Sequence, residues 1–364
     1  MTMEKNNLTF WLTCCMIVFF IHAGFAQQLI NKRLTGGDQA VRKDQAFQRD
    51  QAFRLIFYNL ENAFDTIDDP YPGDDEFLPE APRRWTSYRY WKKIRGLYKV
   101  IVAAGSWQPP DIVGVCEVEN RQVISDLVQA TPLAKHPYRI LHTNSPDPRG
   151  MDVAAIYHPR RFRLITHCFI PVQQAGQSLS TRNILYIKGI AKGRDTLHIY
   201  FSHWPSKWQG TLKTQAKRNQ AARVLRRHID SIRNAENEAC IVAMGDFNDP
   251  PGAPCLLKHL GAGKIKGIPH RDSLYNLSFA WKDLPVGTQK YRAHWQLLDQ
   301  IIVTGNMIET RNSAIQQARI FSPAFLLTDD SRYTGTKPFR TYTGYSYTGG
   351  FSDHLPVILE VDAP

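Results

Sequence analysis

Apolar and polar positions divide this chain into stretches of different period. Leu8–Ile21 is a single apolar run between the weakly charged Met1–Asn7 and a short tail ending at Ala26. The run is shorter than the ~20 apolar residues a membrane span needs. Gly24 and Ala26 supply small residues where a cleavage site wants them. The pattern predicts a secretory signal peptide over residues 1–26 and hence an exported protein, periplasmic or secreted. Residues 27–52 are polar and carry Asp-Gln-Ala at Asp38, Asp44 and Asp50. Three polar copies cannot bury a core, so this stretch is read as a linker.

From Phe53 to the end of the chain, the pattern is that of one folded domain, 53–364. "RLIFYN" predicts a strand ending at Asn59, and "SYRYWKKIRGLYKVIVAAG" has apolar residues at helical spacing. "PDIVGVCEVEN" reads as a strand ending in acids, and "RQVISDLVQA" as a helix. "YRILHT", "DVAAIYHP", "RNILYIKGI" and "TLHIYFSHW" read as strands. "TLKTQAKRNQAARVLRRHIDSIR" reads as a long basic helix. "EACIVAMGDFND", "LLDQIIVTG" and "LPVILEVD" complete the strands. There are too many strands and too few helices for a simple parallel sheet. An α+β class with two packed mixed sheets flanked by helices fits better. Ser322–Gly350, rich in Tyr, Thr and Gly, reads as a long loop within the domain.

Composition changes this picture in two respects. The formal net charge of +12 suits a polyanion or an acidic surface, and solubility alone would serve equally. Four cysteines lie beyond the leader: Cys116, Cys168, Cys240 and Cys255. Export permits disulfides, but Cys116 and Cys240 sit in strand-like runs, where a free cysteine behaves as a small hydrophobe. With no CxxC pair, a thiolate zinc site is not expected.

The candidate chemistry lies where apolar strands end. "FYNLEN" delivers Asn59 and Glu61, "VCEVEN" delivers Glu117 and Glu119, and "YFSHWPS" delivers His203. "VAMGDFND" delivers Asp246 and Asn248, two apart and hence on one face of an extended stretch. "GFSDHLPV" delivers Asp353 and His354, and Asp299 is an acid between leucine and isoleucine runs. Any one of these is accounted for as a turn former or strand cap. Together they resemble a site assembled on a sandwich edge. Oxygen ligands without cysteine suit Mg²⁺, Mn²⁺ or Ca²⁺ rather than zinc.

On "MGDFND" and "SDHLPV", strengthened by "SHWPS" and "CEVEN", the chain resembles the endonuclease/exonuclease/phosphatase (DNase I-like) superfamily over roughly Phe53–Val361. "FYNLENAFD" and "HWPSKWQG" are most similar to exported bacterial members. The resemblance implies a four-layer α/β/β/α sandwich and a metal-dependent phosphoric ester hydrolase. It implies that Asn59, Glu117 and Asp353 form the metal end and that Asp246 prepares the attacking water. Asn248 is implied to hold Asp246 and the phosphate, His203 and His354 to serve the phosphate, and Asp299 to orient His354. Arg182, in "STRNILYI", resembles a phosphate-contacting arginine. Glu61 sits where members vary in metal binding, and Asp152 is expected to orient His203.

The substrate is less legible. The basic helix is expected to be a solvated outer face. "DDSRYTGTKPFRTYTGYSYTGG" interleaves arginine and lysine with aromatics that include Tyr342 and Tyr345. That mixture suits single-strand gripping or a Gly/Tyr-rich lid. The expectation is a nuclease acting on DNA or RNA with Mg²⁺, and no obligate protein partner is implied. The alternatives are a phosphatase or phospholipase C-type enzyme acting on a phosphorylated small molecule or lipid head group, and a binding module that has lost catalysis.

Overall fold

The computed structural model describes residues 52–361, apart from 70–72, 175, 192–195, 208–209 and 310–314. The stretches read above as a signal peptide, 1–26, and, up to residue 51, as a linker lie outside the described residues. The first four strands are β1 (Phe53–Ala63), β2 (Ile112–Val118), β3 (Arg139–Leu141) and β4 (Asp152–Tyr157). The next seven are β5 (Phe162–Ile170), β6 (Ile184–Ala191), β7 (Thr196–His203), β8 (Cys240–Asp246), β9 (Ala262–Gly263), β10 (Leu274–Asn276) and β11 (Asp299–Thr304). β12 (Ile315–Ile320) and β13 (Val357–Val361) return to the first sheet. The six-stranded sheet has the order β12-β13-β1-β2-β4-β3, and the seven-stranded sheet β9-β10-β11-β8-β7-β6-β5.

The central strands are apolar on both faces because both faces are covered. Helix α1 (Ser87–Ala104) buries Ile94, Leu97 and Ile101 at helical spacing against the outer face of the first sheet. Helix α2 (Arg121–Gln129) lies on that side as well, capped by Asn120, whose side chain accepts from the Val123 N–H. The inner faces of the sheets meet through Phe57 and Phe201, ring centroids 6.1 Å apart. Gly114 leaves room for Phe201 to approach, since a Cβ there would collide with its ring. Helix α3 (Thr211–Ala235) packs Ala221, Ala222, Leu225 and Ile229 on the outer face of the second sheet, over Ile241 and Ala243. The result is the four-layer α/β/β/α sandwich expected from the sequence.

Several expectations change. β1 runs past Asn59 to Ala63 through a register shift against β2. β5 and β12 were not predicted; they are partly exposed edge strands whose apolar residues do not alternate with period 2. Ser322–Gly350 is not one loop: it holds the hairpins Leu327–Asp329/Thr336–Pro338 and Tyr342–Thr343/Ser346–Tyr347. Nor is α3 solvated throughout. Arg218 is fully buried, and its Nε donates to Asp249 Oδ2 at 2.6 Å. The four cysteines among the described residues are free, and only Cys168 is exposed.

Candidate active site

At the centre of each sheet lies a parallel pair, β1 with β2 and β7 with β8. The connections between these strands run through α1 and α3, so both members of a pair end at the same edge. In the first sheet Asn59 stands beside Cys116, the residue before Glu117. In the second, Asp246 pairs with His203 on one side and with Asp299 on the other. The two edges face each other: Asn59, from the first sheet, donates through Nδ2 to Asp246 Oδ2 of the second at 3.1 Å. The outer edge of a parallel strand pair is where open α/β sheets place ligands, and here two such edges coincide.

The same Asn59 Nδ2 donates to Glu117 Oε1 at 3.1 Å, and the Asn62 N–H holds Glu117 Oε2 at 3.0 Å. The Asn59 carboxamide oxygen accepts the Glu61 N–H at 2.9 Å. The sequence placed Asn59 among the metal ligands. In this arrangement its oxygen is engaged elsewhere, and its NH₂ orients two carboxylates instead. Glu61, Asn62, Glu117 and Asn248 all have positive φ, between 50° and 58°. Left-handed backbone in non-glycine residues costs energy and gathers at functional sites. Here it turns the chain ends so that the carboxylates converge.

His203 Nε2 lies 3.7 Å from Asp246 Oδ2 and 3.9 Å from Glu117 Oε1. The Arg182 guanidinium lies across the ring, with Nε 3.2 Å from Nδ1 and Nη2 3.0 Å from Nε2. A neutral imidazole can accept at only one of these nitrogens. Burial, then the charges of Arg182, Arg149 and His354, hold the His203 pKa well below its usual value, so the ring is neutral. Arg182 is itself buried and pairs through Nη1 with Asp147 Oδ2 at 3.0 Å. The expectation that Asp152 orients His203 is corrected: Asp152 Oδ2 lies 2.9 Å from His142 Nε2, and its Oδ1 accepts the Ser145 N–H. Arg182 and Asp147 take the place assigned to it. Spacing carried no signal for Asp147, which reaches the site only through the turn that precedes β4.

Asp299 Oδ2 meets His354 Nδ1 at 2.6 Å, and His354 Nε2 lies 3.9 Å from Asp246 Oδ2. Burial opposes charge on His354, but the carboxylates of Asp299, Asp246 and Asp353 outweigh it and raise its pKa well above the usual value. The two histidines therefore differ in state, one neutral and one cationic. Burial pushes Asp246 up to about 6; His354 draws it down, and Asp299 pushes it up. Asn248 holds Asp246 through its backbone N–H, 2.9 Å from Oδ1. Its side-chain Nδ2 donates to the Trp204 carbonyl at 2.9 Å, so the amide ties β8 to β7.

Asp353 and Glu61 form the rim. Arg340 donates through Nη2 to Asp353 Oδ2 at 3.0 Å and through Nε to Glu61 Oε1 at 3.1 Å. Glu61 Oε2 also accepts the Thr341 N–H at 2.6 Å. Lys93, fully buried, donates to the Glu61 carbonyl, the Thr341 hydroxyl and the Phe351 carbonyl. Burial lowers its pKa to about 8 against the pull of Glu61. Both rim carboxylates are thus engaged by cationic side chains. Lys93 was not found in the sequence, and Arg340 was picked out only as a cation of the basic-aromatic run, without its partners Glu61 and Asp353. Tyr342 is 5% exposed and packs on Trp85, with its hydroxyl donating to the Arg83 carbonyl. The expected stacking role does not fit a side chain buried in this way. Tyr345 is 58% exposed, under the Arg83 guanidinium at 5.2 Å.

Donor atoms from Glu117, His203 and Asp246 lie within 4.8 Å of one another, as do those of Asp246, Asp299 and His354. The second group is already closed by the Asp299–His354 hydrogen bond. In the first, Glu117 is partly open to solvent and the donors are oxygen-rich, which suits a hard divalent cation. Glu117 and Asp246 are the residues that could hold one.

The fold recurs at low sequence identity. An endonuclease/exonuclease/phosphatase family protein from Bacteroides thetaiotaomicron is 15% identical, with TM-score 0.54 over 85% of this chain and 97% of that one. D. rerio TDP2 complexed with single-strand DNA product is 14% identical, with TM-score 0.52 over 86% and 99%. A mannosyl-6-phosphatase from Bacteroides thetaiotaomicron is 16% identical, with TM-score 0.53 over 85% and 99%. At these identities the likeness concerns the fold. No curated protein is matched by the chain. Residues 54–363 match the Endonuclease/Exonuclease/phosphatase family model, a span that contains every strand end just described. With carboxylates, amides and imidazoles meeting at the joined edges of two sheets, and with that match along nearly the whole folded region, the chain belongs to the endonuclease/exonuclease/phosphatase family of phosphoester hydrolases.

Proposed function

We propose that this chain is a divalent-metal-dependent nuclease that hydrolyses phosphodiester bonds, and that it is exported. The observation that carries the chemistry is the contrast between the two histidines on either side of Asp246. His354, cationic and held by Asp299, presents Nε2–H towards Asp246 Oδ2 at 3.9 Å. A phosphate oxygen placed there receives a charge-assisted hydrogen bond that strengthens as charge grows. Asp246, with its affinity for protons raised, accepts the proton of an attacking water better than an ordinary aspartate. Neutral His203 adds a donor without competing for the metal end as a cation. Glu117 would hold Mg²⁺, with Mn²⁺ or Ca²⁺ as substitutes, and leaves Asp246 free for the water. When bound, the ion neutralises phosphate charge and stabilises the leaving alkoxide.

Support for a nucleic acid comes from one side of the rim. Arg89 lies 4.5 Å over the Tyr347 ring, Lys92 lies 5.5 Å from it, and Arg83 stands over Tyr345. This basic-aromatic face is continuous with Arg340 and suits stacked bases and a phosphate backbone. The opposite side favours a second reading. A cavity of about 730 Å³, bordered by Asn144 and Ser145 and by the carboxylates of Asp69, Glu119, Asp147 and Asp152, offers hydrogen-bond partners to the hydroxyls of a compact phosphomonoester whose phosphate lies in the active site, and repels a polyanion.

The test is a side-by-side assay of the mature protein with Mg²⁺ on single-stranded DNA, RNA, sphingomyelin, inositol phosphates and sugar phosphates. Cleavage of nucleic acid that is lost in EDTA and in Glu117→Gln is expected. Preference for a sugar phosphate would select the second reading, and full activity in EDTA would remove the metal from both. Export is tested by mass spectrometry, which should find a mature N-terminus at Gln27; an intact Met1 would reject it.

A further inference from the structure

The ladder between β7 and β8 ends at the His203–Asp246 pair. Past that point one buried residue, Asp249, gathers the segments that carry the site. Its Oδ2 accepts Arg218 Nε at 2.6 Å, and its Oδ1 lies 2.6 Å from Lys207 Nζ. Arg218 comes from α3, is fully buried, and donates through Nη1 to the Pro205 carbonyl at 3.1 Å and the Thr214 hydroxyl at 2.7 Å. Pro205 and Lys207 belong to the loop that leaves His203. The Asp249 carbonyl accepts Gln300 Nε2 at 2.6 Å, and Gln300 follows Asp299 in β11. Gln300 is itself held by Asn276 Nδ2, which donates to its Oε1 at 2.6 Å. Asp249 thus joins the chain ends that carry His203, Asp246 and Asp299. Its carboxylate is taken up by Arg218 and Lys207, so its part in the reaction is indirect.

We propose that Asp249 and Arg218 are positioning residues of the hydrolytic reaction, and that their ion pair sets where His203 stands relative to Asp246. The inference rests on the phosphoester-hydrolase reading of this site, and not on the choice between nucleic acid and sugar phosphate. Stability alone is a weak reason to bury such a pair, because apolar residues of similar volume are often as stabilising. Direction is the stronger reason. A guanidinium is planar and presents its N–H groups in a fixed fork. Seating Asp249, Pro205 and Thr214 on one fork locks the loop after β7, the turn after β8 and α3 together. A catalytic group displaced by about 1 Å can lose about 10²-fold in rate, and an apolar contact that slides does not prevent such a shift.

The test compares Arg218→Gln, Asp249→Asn and the two combined. Asp249→Asn takes the carboxylate from a buried guanidinium and should lower the thermal midpoint by about 10 °C. The double variant has neither charge and should regain most of that loss. Its kcat should nevertheless stay about 10²-fold below wild type, because a glutamine amide cannot seat all three partners. KM should stay within about twofold, measured with Mg²⁺ on single-stranded DNA or a sugar phosphate, whichever the wild type hydrolyses. A double variant with midpoint and kcat both restored would overturn the proposal and leave the pair a stabilising contact only. Should the double variant not regain its midpoint, Arg218→Lys decides, measured well below its own midpoint. It keeps the charge but not the fork, so a kcat loss of about 10-fold or more supports the proposal and full kcat overturns it. A wild type that hydrolyses neither substrate would sink the hydrolytic reading, and the crystal structure of the double variant then decides on position. The His203 Nε2–Asp246 Oδ2 separation, 3.7 Å in the wild type, should change by about 0.5 Å or more. An unmoved ring would overturn the proposal.

Discussion

His354 Nδ1 and Asp299 Oδ2 are 2.6 Å apart, and the two residues belong to different sheets. Asp299 opens β11 of the second sheet, and His354 leads into β13 of the first. The pair therefore forms only when the sheets are packed, and packing sets its geometry. An imidazole on a phosphate is useful when the nitrogen facing it carries a proton, and a carboxylate on the other nitrogen secures this. Groups that act as one unit show non-additive losses. His354→Ala should lower kcat by about 10²- to 10³-fold, the range for losing one preorganised donor, and Asp299→Ala somewhat less. The double variant should match His354→Ala within a small factor, measured at saturating substrate and metal. Multiplicative losses would show that the two act independently.

Glu61 and Lys93 form a buried ion pair at 3.8 Å, completed by Arg340. Removing Lys93 leaves the buried Glu61 carboxylate with the more exposed Arg340 as its remaining cation, in a medium that solvates charge poorly. Lys93→Met should destabilise the protein by about 3–5 kcal/mol in denaturant unfolding. Lys93→Met with Glu61→Gln should recover much of that loss, since no uncompensated charge remains. Equal destabilisation by the single and double variants would mean that Lys93 acts through its three other hydrogen bonds and not through Glu61.

The layered fold and most of the site were legible because both depend on local pattern. Asn59, Glu117, His203, Asp246, Asp299 and His354 each stand at or beside the end of an apolar run, and a parallel pair brings such ends to one edge. What was not legible depends on tertiary approach. Arg340 lies 279 positions from the Glu61 it holds, and no spacing rule reaches that far. Asp152 was given the wrong partner because His142, ten positions earlier, becomes its neighbour only when β4 pairs with β3. The Tyr-rich segment misled in a similar way: its composition is that of a loop, but Tyr342 turns inward against Trp85 while Tyr345 remains outside.

That division between Tyr342 and Tyr345 is testable. Tyr342→Ala should cost about 3–5 kcal/mol of stability, as for a large aromatic removed from a core. Tyr345→Ala should leave the unfolding midpoint nearly unchanged and raise KM for single-stranded nucleic acid about 5- to 10-fold with kcat constant, because stacking holds ground and transition states alike. A fall in kcat with KM unchanged for Tyr345→Ala would place the hairpin in the transition state.

Asn248 separates backbone strain from side-chain function. Its φ is +52°, its N–H holds Asp246 Oδ1, and its amide ties the Trp204 carbonyl across to β8. The peptide N–H of Trp204 returns to the Asp246 carbonyl at 2.9 Å, so Asn248 closes a loop of bonds that fixes His203 relative to Asp246. Glycine accepts this φ without cost and keeps the N–H, whereas alanine keeps the N–H but carries the strain. Asn248→Gly should therefore be more stable than Asn248→Ala by about 1 kcal/mol. Both lose the amide, so both should lose kcat to a similar extent, about 10- to 100-fold for a misplaced catalytic group. Paired unfolding and kinetic measurements on the two variants check this. If Asn248→Gly retained full kcat, the backbone N–H alone would suffice to place Asp246, and the amide would be structural.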